Sequence, residues 1–150
     1  MLSIYNNHIH SMYLLSIIIP LLAWYATIIL GDFIWLGFIT KNFLIREFGQ
    51  LIELEANGSI KIHLLAWLSA WAVIVLLLYV FVIRSGYASS HLSALGYGAI
   101  MWLLSYAMYD LTNLTFIKWY SLAFTFVDIA WGTFLCAIVS LVMYSISRYF

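Results

Sequence analysis

The sequence predicts an all-α integral membrane protein: a bundle of four transmembrane helices, with a short interfacial amphipathic helix between the first and second. Three observations predict it. Of the 150 residues, 66% are hydrophobic and only 8% charged, against roughly 45–50% and 25% in soluble domains. Four apolar stretches each reach the roughly 18–20 residues that a helix needs to cross a hydrocarbon core. All six Lys and Arg lie outside those stretches, whereas Asp32, Asp110 and Asp128 lie within or at the end of one. A soluble domain of this size cannot hide so much apolar surface from water, so a soluble enzyme is excluded. A disordered chain is excluded by the same composition. No basic patch is present, so no nucleic acid partner is expected.

The elements follow in order, as one domain over residues 1–150. The first span covers 12–39 and carries a single charge, Asp32. Pro20 marks a natural restart, which makes 20–39 a full span and leaves 12–19 at the interface. A continuous helix through Pro20 is the alternative. No Lys or Arg precedes this run, and it is too long for a signal-peptide core, so an uncleaved span is expected. In the stretch 41–62, Leu44, Phe48, Leu51 and Ile52 recur at helical spacing beside Arg46, Glu47 and Glu53. That stripe reads as an amphipathic helix on the membrane surface, ended by Asn57-Gly58; an ordinary folded loop is the alternative. The second span, 64–83, has no charge. The third, 92–110, ends on Asp110, and the fourth, 119–146, is interrupted only by Asp128. Helices are the economical choice throughout, because no water is available to satisfy an open backbone. The lone Cys136 lies mid-span, so no disulfide framework exists.

Four spans return the chain to the side from which it started, here called side A. Side B holds Lys41, Arg46, Lys61 and Lys118, and side A holds Arg84 and Arg148. Four basic residues against two point to side B as cytoplasmic, with both ends outside.

Topology then groups the acids. Asp32 lies seven residues before Ile39, about 10 Å from the B end of its span. Asp110 stands at the B end of the third span. Asp128 lies nine residues past Trp119, about 13 Å deep from side B. His63 opens the second span on that side. All four spans therefore contribute to one half of the membrane, where a charge is costly unless it faces the bundle interior or water. Tyr106, Asp110 and Asn113 share a helical face. Ser121, Thr125, Asp128, Gly132, Cys136 and Ser140 form a small and polar stripe that lets helices approach closely. Ala66 and Ala70 read the same way on the second span. Trp35 and Trp131 each stand three residues after an aspartate and offer an indole N–H.

Sharper chemistries fail on placement. His63 and His91 start successive spans on opposite sides, so they cannot pair on a haem. No Lys lies inside a span to hold a retinal Schiff base. No Gly-rich phosphate loop and no Cys or His metal spacing is present. His8, His10 and His91 share side A, but a His-x-His pair in a terminus is not a ligand set. The residues name no cofactor and no metal.

Leu30-Gly31-Asp32-Phe33-Ile34-Trp35-Leu36-Gly37, Tyr109-Asp110-Leu111-Thr112-Asn113-Leu114-Thr115 and Val127-Asp128-Ile129-Ala130-Trp131-Gly132-Thr133 resemble the signature of a bacterial family of predicted membrane proteins. It is the family of the domain of unknown function 2177. The resemblance runs from about Asp32 through Ser140, with Asp32, Trp35, Gly37, Tyr109, Asp110, Thr112, Asn113, Asp128, Trp131 and Gly132 matching its motifs. His63 lies outside them. Arg46 and Gly49 fall where the family tends to carry a basic residue and Gly. The resemblance implies a bacterial inner-membrane location and an association with fatty-acyl and membrane-lipid modification genes. It implies no reaction.

Three roles are expected to compete. The first is a binding or transport module in which Asp32, Asp110, Asp128 and His63 take a proton, a cation or a polar lipid head group. Tyr109, Thr112 and Asn113 would orient it, and Trp35 and Trp131 would wall it. The second is an enzyme of membrane-lipid or fatty-acyl modification that uses the same aspartates as acid–base groups or Mg²⁺ ligands. The third is a structural or assembly subunit whose aspartates tie helices together. Four spans are few for a self-contained transporter. A second copy or a partner membrane protein therefore joins membrane lipids as an expected partner.

Overall fold

The computed structural model describes residues 2–149, with side chains from Met12 to Tyr149, Gln50 excepted. Four helices are long and apolar enough to span a membrane: Met12–Ile39, Leu64–Arg84, His91–Phe116 and Leu122–Ser147. They form the four-helix membrane bundle that the hydropathy predicts. The side chains of His8 and His10 lie outside the described residues.

Helix α1 runs without interruption over Leu2–Ile34, with Pro20 in its interior. The restart at Pro20 does not occur, because a membrane helix tolerates a proline when neighbouring groups take up the freed carbonyl. The span finishes in a wider π-type turn, Trp35–Ile39. The Trp35 carbonyl there accepts both the Thr40 N–H, at 2.8 Å, and the Thr40 hydroxyl, at 2.9 Å. Such widened turns often mark functional sites.

The amphipathic stripe folds as helix α2, Lys41–Phe48. It stops at Gly49, whose φ of +52° suits a residue without Cβ. This is earlier than Asn57-Gly58, which instead turns a small hairpin closed by the Leu54–Ile60 bridge. The Gly58 N–H donates to the Glu55 carbonyl, and the Lys61 N–H to that of Glu53, at 2.8 and 2.9 Å.

Helix α3, Leu64–Leu78, continues through a second π-type stretch to Arg84. Helix α4, His91–Phe116, opens on a reciprocal capping box between Ser90 and Ser93. It does not end at Asp110 but runs to Phe116. The Thr112 and Thr115 hydroxyls donate back to the Met108 and Leu111 carbonyls, which accommodates the polar run inside the helix. Helix α5, Leu122–Ser147, starts after Ser121, whose hydroxyl accepts from the Phe124 N–H at 3.1 Å. Trp119 precedes it with φ +68°.

Helix α5 is the hub, packed against α4 and α1, while α1 also meets α3. Its stripe of Thr125, Gly132, Cys136 and Ser140 is buried. A Cβ on Gly98 would lie 2.6 Å from the Cys136 carbonyl oxygen, so the α4–α5 approach depends on that glycine. Trp24, Ile28, Leu78, Val139 and Met143 fill the bundle centre. The Tyr25 hydroxyl donates to the Leu68 carbonyl at 2.9 Å and ties α1 to α3.

Candidate functional site

Asp32 is buried on α1, and its Oδ2 accepts two indole N–H bonds from α3. Trp67 donates at 2.7 Å and Trp71 at 3.0 Å. The two tryptophans are four residues apart, one helical turn, so both rings reach one carboxylate. Asp110 on α4 is fully buried. Its Oδ1 accepts from the Tyr120 hydroxyl at 2.5 Å, while its Oδ2 has no partner. Burial and this donation push the Tyr120 phenol up, so it stays protonated and keeps donating. Asp128 on α5 is half-buried and has no hydrogen-bonding partner among the described residues.

Asp32 and Asp128 open onto one cavity of 570 Å³. Tyr106, Tyr109 and Tyr120 bring phenols to its wall, and Trp71, Trp102 and Trp131 bring indoles. The N–H groups of Trp102 and Trp131 are buried without a partner. The aromatic wall is stacked: Trp102 lies between Trp71, at a centroid distance of 5.6 Å, and Tyr106, at 3.8 Å. A Cβ on Gly132 would collide with the Trp102 indole, so this glycine makes room for the stack. Phe48 and Phe124 line the cavity and meet edge to face at 4.7 Å. Helix α2 is thus fastened beside the cavity on side B. A second tie is the Ser121 hydroxyl, which donates to Glu47 at 2.5 Å. That bond, with Arg46 second, holds the Glu47 carboxyl below its usual range.

The residues expected to form the site divide. Asp32, Asp128, Tyr109 and Trp131 line the cavity. Asp110 stands behind Tyr120, whose hydroxyl donates to it, and Asn113 is not among the residues that line the cavity. Trp35 does not wall the cavity; it stacks on Trp131 at 4.2 Å, with ring planes 5° apart, and fixes that ring. Thr112 is exposed and bonded to its own helix, because positions two apart do not share a helical face. His63 is outside the site: its side chain is 70% exposed and lies 3.8 Å from Glu53. His63 is the N-cap position of α3, outside its helical turns, and its imidazole lies beside Glu53 of the hairpin. Trp67, Trp71, Trp102 and Tyr120 were not expected in the site; the one-turn spacing of Trp67 and Trp71 was the available signal. Ala70 lines the cavity, and Ala66 is exposed, so neither forms a tight helix contact.

Among the described residues no three His, Cys, Asp or Glu side chains are grouped to hold a metal ion. On side A, His91 packs edge to face on Tyr144 at 5.2 Å.

A small polytopic helical membrane protein with an acidic cavity inside its bundle is the class that fold and site define. The chain belongs to the family described as predicted membrane protein DUF2177, whose model matches residues 17–145. That range includes all the motif residues around Asp32, Asp110 and Asp128. No curated protein and no solved structure matches the chain.

Proposed function

We propose that the protein is a membrane binding or transport module whose cavity receives the polar end of a lipid, with Asp128 as the receiving carboxyl group. The observation that carries this reading is the contrast among the acids. Asp32 is occupied by two indole donors and Asp110 by a phenol, but Asp128 faces 570 Å³ of open space with no partner. Buried polar groups are normally satisfied, so a carboxyl with no partner among the described residues, in a cavity walled by tyrosine and tryptophan rings, suits a ligand that carries a donor. The volume exceeds what a proton or a bare ion needs and fits a head group with an ammonium or hydroxyl donor. The bundle places the cavity on side B, within reach of the lipids of one leaflet.

The structural-tie reading keeps one specific observation, the Asp32 bonds that link α1 to α3. It applies to Asp32 and not to Asp128. The test uses lysophosphatidylethanolamine as probe and tryptophan emission of the purified protein as readout. Wild type is expected to bind saturably. Asp128→Asn is expected to keep its melting behaviour and lose about tenfold or more in affinity, the equivalent of a charge-assisted hydrogen bond of roughly 1.5–3 kcal/mol. A folded Asp128→Asn protein that binds like wild type sinks the reading.

A further inference from the structure

A second cavity lies where α1 ends on side B, and it takes no part in the aspartate site. Its volume is 370 Å³ and its walls are apolar: Phe33 and Leu36 from the end of α1, Leu44 from α2, and Ile52, Ile60 and Ile62 from the hairpin region. Phe33 and Phe38 are exposed at this level, so the opening faces the bilayer. Water is a poor occupant of an apolar cavity, and a hydrocarbon chain is a good one. At the rim stands Lys41. Arg46 pairs with Glu47, and Lys61 with Glu53, but Lys41 makes no ion pair among the described residues. No carboxylate lines the cavity. An uncompensated ammonium thus sits at the mouth of a hydrocarbon slot, at the depth where acyl chains give way to head groups.

We infer that this slot is a binding site for an anionic glycerophospholipid of the side B leaflet, with one acyl chain among Leu44, Ile52 and Ile60 and the phosphate at Lys41. A long lysine stem packs along apolar surface while its charge reaches the interface, which matches the half-buried Lys41. Basic pockets on the cytoplasmic side of helical membrane proteins hold lipid phosphates in this way. Leu36 lines both the slot and the aspartate cavity, so the bound chain ends against the wall of the acidic site.

The experiment is native mass spectrometry of the protein released from nanodiscs containing equal phosphatidylglycerol and phosphatidylcholine. Wild type is expected to retain one phosphatidylglycerol, favoured about tenfold over phosphatidylcholine. Lys41→Gln is expected to abolish the preference while still holding lipid, and Ile60→Trp, which fills the slot, to lower retention of both. Equal retention of the two lipids by wild type overturns the inference, as does a preference that survives Lys41→Gln. Should Ile60→Trp fail to fold, Lys41→Gln decides alone, since it removes the rim charge and keeps most of the stem that packs there.

Discussion

Asp32 and Asp128 line the same cavity, yet the protein treats them differently. The two indole N–H bonds to Asp32 Oδ2 come from one turn of α3, so the carboxyl is held from a single direction and cannot turn to a ligand without releasing a donor. Asp32 is thereby a joint between α1 and α3 as well as part of the wall. The joint has a measurable energy. In a double-mutant cycle of Asp32→Ala and Trp71→Phe, read by SDS unfolding in mixed micelles, a coupling of about 0.6 kcal/mol is expected, and no more than about 1.7, as for hydrogen bonds between membrane helices. Additive losses would show that the 3.0 Å contact carries no load. These residues also mark the limit of what was legible beforehand. An aspartate in an apolar span advertises itself, because a charge there needs a reason. Trp67 and Trp71 did not, because tryptophan in a span reads equally as interfacial anchor or filler. Only the rotation of α3 against α1 decides where the N–H groups point. The packing of the end of α1 against α5 likewise decides that Trp35 stacks on Trp131 rather than lining the site.

At the scale of elements, the spans were readable from hydropathy alone, and their ends were not. The Tyr109-Asp110-Leu111-Thr112-Asn113 run looks like a helix exit because its polarity rises, but Thr112 and Thr115 satisfy their hydroxyls within the helix and α4 continues. Helix α2 was readable from its stripe; what fastens it was not, because Ser121 lies 74 residues from Glu47. That fastening is acid-labile. The Ser121 hydroxyl, then Arg46, lowers the Glu47 pKa from its ordinary 4.5. The folded-state value therefore lies below the unfolded one. The stabilisation is complete above about 4.5 and is lost as pH falls through the lower, folded value. A spin label at the exposed position Asn42 is expected to gain mobility over that acidic window in wild type. In Glu47→Ala, which removes the acceptor, it is expected to be mobile already at neutral pH. A label equally immobile in both proteins at every pH would show that Phe48, against Tyr120 and Phe124, holds α2 without help.

For the whole molecule, orientation decides which leaflet holds the two cavities. Both lie toward side B, one inside the bundle and one at its rim, so a single orientation assigns them together. Lys41, Arg46, Lys61 and Lys118 flank the spans on side B, against Arg84 and Arg148 on side A. Basic residues close to span ends are the ones that set topology, and acids contribute little, so Glu47, Glu53 and Glu55 do not cancel the bias. On that bias side B is expected to be cytoplasmic. The Lys41 slot would open onto the leaflet whose negative surface potential concentrates anionic head groups near lysines. Green fluorescent protein inserted at the Asn57-Gly58 turn is expected to fluoresce, and alkaline phosphatase fused at either end of the four-span unit to be active. The insertion point is an exposed hairpin tip, where an added domain disturbs neither cavity. The reverse pattern would place both cavities in the outer leaflet. The Asp128 site would then have to draw its ligand from outer-leaflet lipids, whose head groups reach the carboxyl from the opposite compartment.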